Sequence, residues 1–160
     1  MSVDGLIADL KKGIGMVRVT AAAELGKLKD KRAEKALIDA LEDENLAVRS
    51  NAAFALGELG LHAAVPRLLS LFHDPGERVR KSAVKALGMI AARDAVPALI
   101  NLIESDQSRI VKKSAIRSLG QIGGQKARRA IEPLVSHPDA LLSDTAKKAV
   151  ELMKKQQPAG

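Results

Sequence analysis

Apolar residues recur along this chain at helical spacing, in a pattern that repeats about every thirty-one residues. Each copy starts with an aliphatic residue, which is followed four positions later by alanine and eight positions later by a second aliphatic residue. Offsets of four and eight place side chains on one face of an α-helix. We therefore predict an amphipathic helix, named helix A, in each copy. The stripes are Val17, Ala21 and Leu25; Val48, Ala52 and Leu56; Val79, Ala83 and Leu87; Val111, Ala115 and Leu119; and Leu142, Ala146 and Val150.

A second stripe with the same offsets follows each of the first four and predicts a second helix, named helix B. Between the two stripes stands a glycine, and we expect helix A to end there because glycine adopts a left-handed C-cap at least cost. The glycines are Gly26, Gly57, Gly88 and Gly120. The helix B stripes are Ala33, Leu37 and Leu41; Ala64, Leu68 and Phe72; Ala95, Leu99 and Ile103; and Ala127, Ile131 and Val135.

Paired helices of this kind predict an all-α fold, an α-α superhelix in which stacked hairpins share one core, because a single hairpin cannot bury its own apolar face. Full repeats are expected near 17–44, 48–75, 79–107 and 111–138, with half repeats at 3–13 and 140–155, in a single domain of residues 1–160. Half repeats at both ends would act as caps, which favours a monomer. The polar end at 154–160 is expected to be a frayed tail.

Two segments, "VRSNAAFALGELGLHAAVPRLLSLF" and "VRKSAVKALGMIAARDAVPALINLI", resemble the bacterial HEAT-like repeats first named from phycobilisome lyases. The resemblance extends in register over nearly all of residues 6–153, although Glu132 places a charge where the other repeats are apolar. It implies an armadillo-type α-solenoid whose B helices line the concave side, and a role in protein–protein scaffolding. It does not identify the partner, because this repeat serves many functions.

The amino-acid composition indicates how the core is built and excludes several kinds of chemical site. Hydrophobic residues make up 46% of the chain and aromatic residues 1%, so the core must consist of Leu, Ile, Val and Ala, as is typical of helical proteins. Without cysteine there is no disulfide, no thiolate nucleophile and no cysteine-based zinc site. The first residues lack the basic and apolar regions of a signal peptide, and no apolar run is long enough to span a membrane. We expect a cytoplasmic protein.

No catalytic residue, metal site or cofactor is predicted. Deoxyhypusine hydroxylase-like members of the resembled family hold iron with His-Glu pairs two and three residues after the first aliphatic residue, where this chain has pairs such as Ser50-Asn51. The segment "GQIGG" at 120–124 lacks the preceding strand of a phosphate-binding loop, so we interpret it as a turn between helices. An accessory subunit of a bilin lyase is a weaker alternative, since few aromatic side chains could line a tetrapyrrole pocket.

Our leading hypothesis is a non-catalytic scaffold that binds a partner protein through exposed positions of the B helices, on the concave surface. A curved row of helices offers an extended surface of this kind. The candidate residues are Lys35, Asp39, Arg67, Ser70, His73, Asn101, Glu104 and Arg129.

The alternative is a binder of nucleic-acid backbone, or of an acidic partner, through the basic C-terminal third. The net charge is +7, and residues 109–160 hold 11 basic and four acidic side chains. Without Trp or Tyr to stack on bases, nucleic-acid binding would be sequence-tolerant and sensitive to salt. A basic face that is merely solvated is also compatible with this pattern. The candidate residues are Arg109, Lys112, Lys113, Arg117, Lys126, Arg128, Lys147 and Lys148.

A row of cations also follows the first residue of four helix A stripes. These side chains could bind phosphates, but we expect them to pair with acidic residues of the adjoining loops, such as Asp43 and Asp74. The row consists of Arg18, Arg49, Arg80 and Lys112.

Overall fold

The structure is a computed structural model that describes residues 1–156, and it divides the chain into two compact units, Met1–Ile90 and Ala91–Gly160. The described residues form α-helices joined by short turns, several of them 3-10 helical, and contain no β-strand. The all-α prediction is confirmed. Residues 157–160, most of the predicted frayed tail, lie outside the described residues, whereas residues 154–156 continue the last helix.

The first unit contains three A helices and three B helices, in the order that the two stripes predict. Its B helices α3 and α5 are short, but 3-10 turns extend them at both ends. The A helices are α2 (Gly15–Leu28), α4 (Leu46–Leu59) and α6 (Glu77–Ile90), and the B helices are α1 (Val3–Lys12), α3 (Glu34–Asp39) and α5 (Val65–Ser70).

The second unit has the same alternation of B and A helices. Its last B helix, α9, gives way to a 3-10 segment at Glu132–Ser136, where Pro133 removes a backbone donor. The A helices are α8 (Arg109–Ile122) and α10 (Ala140–Gln156), and the B helices are α7 (Val96–Ser105) and α9 (Gln125–Ile131).

Both stripes form the core of their units. Each A helix begins two residues before the first residue of its stripe, and that residue is fully buried at Val48, Val79 and Val111. Val17 is the exception, with 42% of its surface exposed, because the described residues include no A helix before α2 that would cover it. The periodicity therefore identifies the buried face correctly, except at the first A helix.

The prediction that helix A ends at its glycine is wrong. Gly26, Gly57, Gly88 and Gly120 all lie inside their helices, each of which continues for two more residues. Left-handed C-caps do occur, but they lie further along the chain, at Lys29 after α2 and at Gly60 after α4. The glycines must therefore have another cause.

That cause is the close approach of neighbouring A helices. A Cβ atom on Gly57 would lie 2.7 Å from the Cα atom of Ala86 on α6, well inside van der Waals contact. A Cβ on Gly26 would lie 2.8 Å from the Cβ of Ala55 on α4. In the second unit, a Cβ on Gly120 would lie 2.8 Å from the Cβ of Ala149 on α10. Within each unit, glycine facing alanine sets the spacing of the A helices.

Candidate functional site

The predicted partner-binding residues of the first unit are all exposed. Lys35 and Asp39 lie on α3, Arg67 and Ser70 lie on α5, and His73 lies in the 3-10 turn after α5. Two of them have polar contacts: Arg67 forms an ion pair with Glu42, and the Ser70 hydroxyl donates a hydrogen bond to the carbonyl oxygen of Pro66. The structure thus places these five residues on the surface of B helices or directly beside it.

The three predicted residues of the second unit are exposed as well. Asn101 and Glu104 lie on α7, and Arg129 lies on α9. Within residues 1–156 the side chains of Asn101 and Arg129 have no hydrogen bond or ion pair. Their polar groups are therefore available to a binding partner.

The predicted basic patch is divided by its ion pairs. Arg109 forms two hydrogen bonds to Asp139, of 2.5 Å from Nε and 2.8 Å from Nη2. The hydrogen bond raises the pKa of Arg109 and lowers the pKa of Asp139, whose carboxylate also accepts from the backbone amides of Leu142 and Leu141. Arg109 is thus committed to a partner within the chain.

Three more of the predicted cations have contacts within the second unit. Arg128 pairs with Glu132 at 2.6 Å, Lys147 with Asp144 at 3.5 Å, and Lys112 donates to the backbone carbonyl of Glu104 at 3.4 Å. These contacts are exposed, so each contributes little stability, but the two carboxylates offset part of the positive charge.

Three cations that are left line one groove between α8 and α10. Lys113, Arg117 and Lys148 border a cavity of about 460 Å³, and none of them has an ion pair or hydrogen bond within residues 1–156. Leu141 and Leu152 line the same cavity. The structure thus brings together three of the eight predicted basic residues beside two leucines that the sequence analysis did not select. We call this cavity the α8–α10 groove.

The spacing of the groove residues could have revealed it. Leu141, Thr145, Lys148 and Leu152 follow one another at offsets of four, three and four, which places them on one face of α10. That face differs from the buried apolar stripe of α10, which starts at Leu142, although Thr145 on it is also buried. The sequence therefore contained an indication of the groove, namely two leucines at helical spacing with a lysine between them. These residues lie outside the repeat pattern, so that pattern did not predict the groove.

The remaining predicted cation, Lys126, borders a different cavity of about 440 Å³ together with Arg93 and the turn of Gly123 and Gly124. Both glycines have positive φ, of 73° and 89°, and they form the connection from α8 to α9. Of the segment 120–124, which we interpreted as a turn, only Gly123 and Gly124 form the turn, whereas residues 120–122 belong to α8. With seven residues, α9 is too short to direct a helix dipole at an anion.

Two cations of the row on the A helices, Arg18 and Arg49, have a structural role. They pair with Asp43 and Asp74, as we predicted. The Nε atom of Arg18 lies 2.8 Å from Asp43, and the Nε atom of Arg49 lies 2.8 Å from Asp74. Each guanidinium also donates to a backbone carbonyl of the preceding loop, as Nη1 of Arg49 does to Asp43 at 2.8 Å. Only 16% of the Arg49 side chain and 7% of the Asp74 side chain are exposed, so the pair offers no phosphate site.

In the last repeat, both the arginine and the aspartate of this ion pair are replaced. Lys112 stands where the earlier repeats have arginine, and His137 stands where they have aspartate. The Nδ1 atom of His137 accepts the backbone amide of Asp139 at 3.0 Å, as the Asp74 carboxylate accepts the amide of Gly76 at 2.8 Å. The loop geometry is kept without the carboxylate, and Arg109 with Asp139 supplies a replacement ion pair in the same region.

Within residues 1–156, no three His, Cys, Asp or Glu side chains lie together as metal ligands would. Nor does any helix in that range combine the length and apolar character needed to cross a membrane.

Comparison with known proteins gives one family. The family model of HEAT repeats matches residues 3–88 and 68–152, which together span most of the chain. No functionally curated protein matches the sequence significantly.

Among solved structures, one similar chain comes from the complex of CpcE and CpcF of phycocyanin lyase from Nostoc sp. PCC7120. The identity is 32% and the TM-score 0.85, over 97% of this chain and 66% of that one, so this chain spans just under two thirds of its relative. An archaeal HEAT-like repeats protein from Thermococcus onnurineus NA1 has 20% identity and a TM-score of 0.56, over 99% of this chain and 67% of that one. The second likeness concerns the fold alone.

Proposed function

We propose that this chain, which belongs to the HEAT repeat family, is a non-catalytic scaffold. In this proposal it binds a partner protein on its B helices. The chain is an all-α solenoid of the HEAT and armadillo type, a fold that typically serves as an interaction scaffold. Its B-helix surface, which we expect to be concave, is the binding surface in this proposal. We also propose a monomer located in the cytoplasm.

The exposure of all eight candidate residues is the observation that supports this proposal best. They lie on the B helices or directly beside them. The opposite faces of these helices are fully buried, at Leu37, Leu68, Leu99 and Ile131. A helix fixed on one side holds the side chains of its other side at constant spacing, which lowers the entropic cost of binding. The surface carries both signs of charge, so a partner segment of mixed charge fits it.

The test is a charge reversal with a matched control. The variant K35E/R67E/E104K reverses three charges on the B helices, and R78E/K155E/E151K makes the same change in net charge at exposed positions of A helices. Quantitative pull-down with wild-type and variant bait should show a partner that is lost only with the first variant. Recovery of every wild-type partner by both variants would rule out the B-helix surface.

The second candidate function is binding of an acidic partner or of nucleic-acid backbone by the basic C-terminal third. It is favoured by the three unpaired cations of the α8–α10 groove. Backbone binding to nucleic acid releases counterions and weakens steeply with salt. A gel shift with single- and double-stranded DNA at low and moderate salt tests it, and absence of retardation at low salt removes nucleic acid as a ligand.

A role as accessory subunit of a bilin lyase is a further alternative, supported by the 32% identity to a chain of the phycocyanin lyase complex. Attachment of a bilin to apo-phycocyanin, followed by its visible absorbance with and without this chain, tests the role. Unchanged yield at every ratio of chain to lyase contradicts it.

A further inference from the structure

The α8–α10 groove combines unpaired positive charge with exposed apolar surface. On α8 the cations are Lys113 and Arg117, four residues apart and hence on one face of the helix. On α10 the groove is bordered by Lys148 between Leu141 and Leu152. The two helices lie close together, because Gly120 on α8 faces Ala149 on α10. The groove is therefore a fixed channel between packed helices rather than a gap between mobile segments.

The cations of this groove differ from three other basic residues of the unit. Arg109, Arg128 and Lys147 each have a carboxylate partner, whereas the groove cations have none within residues 1–156. Concentrated unpaired charge of one sign attracts a ligand of the opposite sign and speeds its association. The ligand is thus expected to be anionic.

The apolar residues of the groove favour an anion that also carries apolar side chains. Leu152 is 39% exposed and lies three helical turns from Leu141, so the two leucines mark the ends of a strip along α10 that has Thr145 and Lys148 between them. An apolar side chain of a ligand would bury surface against this strip, which favours binding by about 25 cal/mol per Å². A phosphodiester backbone has no such side chain.

The shape and remaining charges favour a protein helix. The residues of α10 that line the groove extend from Leu141 to Leu152, a length of about 17 Å, which accommodates roughly three turns of a docked helix. Asp144 also borders the groove, so an anionic ligand must leave a gap in its charge opposite this carboxylate, as a helix with few carboxylates can and a continuous phosphate backbone does not. None of the lining residues is aromatic, so bases would find no side chain on which to stack.

We propose that the α8–α10 groove binds an acidic amphipathic helix of a partner protein. Carboxylates at positions i and i+4 of that helix pair with Arg117 and Lys113, a third pairs with Lys148, and its apolar side chains pack between Leu141 and Leu152. The site lies on A helices, so it is separate from the B-helix surface of the leading proposal; it rests on the second candidate function, for which it specifies the acidic partner.

The probe is a synthetic helical peptide with Glu at i and i+4 and Leu on the adjoining face, labelled with a fluorophore. Its binding to the full chain is measured by fluorescence anisotropy, and its position by amide chemical-shift changes in isotope-labelled protein. Control ligands are a scrambled peptide of the same composition and labelled single- and double-stranded DNA.

The variant K113E/R117E/K148E should weaken peptide binding about tenfold or more, since three ion pairs become repulsive contacts. The matched control K126E/K154E/K155E makes the same charge change at exposed lysines outside the groove and should change the affinity less than about threefold. Leu152→Ser should weaken peptide binding several-fold but leave DNA binding unchanged. The milder K113Q/R117Q/K148Q repeats the test if the reversed variant loses its helical circular dichroism.

The proposal is supported if the peptide binds, the scrambled peptide binds more weakly, and the shifts fall on α8 and α10. It is overturned if DNA binds and the peptide does not, if both triple variants weaken the peptide equally, or if Leu152→Ser has no effect. Absence of any peptide binding at low salt also overturns it.

Discussion

Substituting Gly57 by alanine should destabilise the protein, although alanine is the better helix former. In an open helical position this change stabilises by about 1 kcal/mol, because glycine loses more backbone entropy on folding. Gly57 lies in the interior of α4, where that gain would apply. The added Cβ would nevertheless lie 2.7 Å from the Cα and 2.9 Å from the Cβ of Ala86 on α6.

The magnitude follows from what can move. Carbon atoms in contact lie about 3.5–4.0 Å apart, so relief of the overlap requires α4 and α6 to separate by about 1 Å. The obstacle is largely the backbone of α6, which cannot rotate away as the end of the Met89 side chain can. Overpacking of this kind costs typically 1–3 kcal/mol. With about 3 kcal/mol lost and about 1 kcal/mol gained, we expect a net loss near 2 kcal/mol.

The measurement is urea unfolding followed by far-ultraviolet circular dichroism, since the chain has no Trp or Tyr to serve as a fluorescent probe. A loss of about 2 kcal/mol corresponds to a fall of roughly 4–8 °C in Tm for a chain of this length. Gly5→Ala serves as the control, because a Cβ there would meet only the Ser2 hydroxyl at 3.2 Å, near the exposed start of α1. If Gly57→Ala were as stable as Gly5→Ala, helix spacing could not be the reason for the glycine.

Two further predictions concern ion pairs. Arg49→Ala should cost about 2 kcal/mol of unfolding free energy, because it removes charge-assisted hydrogen bonds to a buried carboxylate, whereas Arg67→Ala removes an exposed pair and should cost less than about 1 kcal/mol; equal losses in urea unfolding would contradict the distinction. Asp139→Asn should lower the unfolding midpoint at neutral pH, and this difference should shrink as the pH falls below about 4: the pKa of Asp139 is lowered by its hydrogen bond with Arg109, so its contribution is complete above the unfolded pKa of about 3.9 and disappears as the pH falls through the folded value. A midpoint difference that does not shrink between pH 7 and pH 3 would show that the carboxylate charge is not the cause, since asparagine caps the helix as well as aspartate does.

The helices and their buried faces could be predicted because offsets of four and eight directly reflect the geometry of an α-helix. The function of the glycines could not, because glycine is favoured both at a left-handed C-cap and where two helices approach closely. Only coordinates show that Gly57 faces Ala86, and that Lys29 takes the left-handed position after α2. The exposure of Val17 was likewise hidden, because its stripe is identical to the others.

The candidate sites show the same division between local and tertiary information. The pairing of Arg18 with Asp43 could be anticipated from charges that recur in each repeat. By contrast, the basic C-terminal third gives eight candidate cations in sequence, and composition cannot separate Arg109, which is paired, from Arg117, which is not. That distinction depends on where the loop before α10 places Asp139.

The glycine contacts also bear on how such a chain could lengthen over evolution. In α4, Gly57 meets the alanine of the following A helix, and Ala55 meets the glycine of the preceding one. The glycine and the alanine that form this type of contact thus lie on the same helix. A tandem duplication of residues 46–76 would create one new junction, at which Gly57 of the first copy meets Ala55 of the second, so growth by whole repeats needs no compensating mutation at this contact.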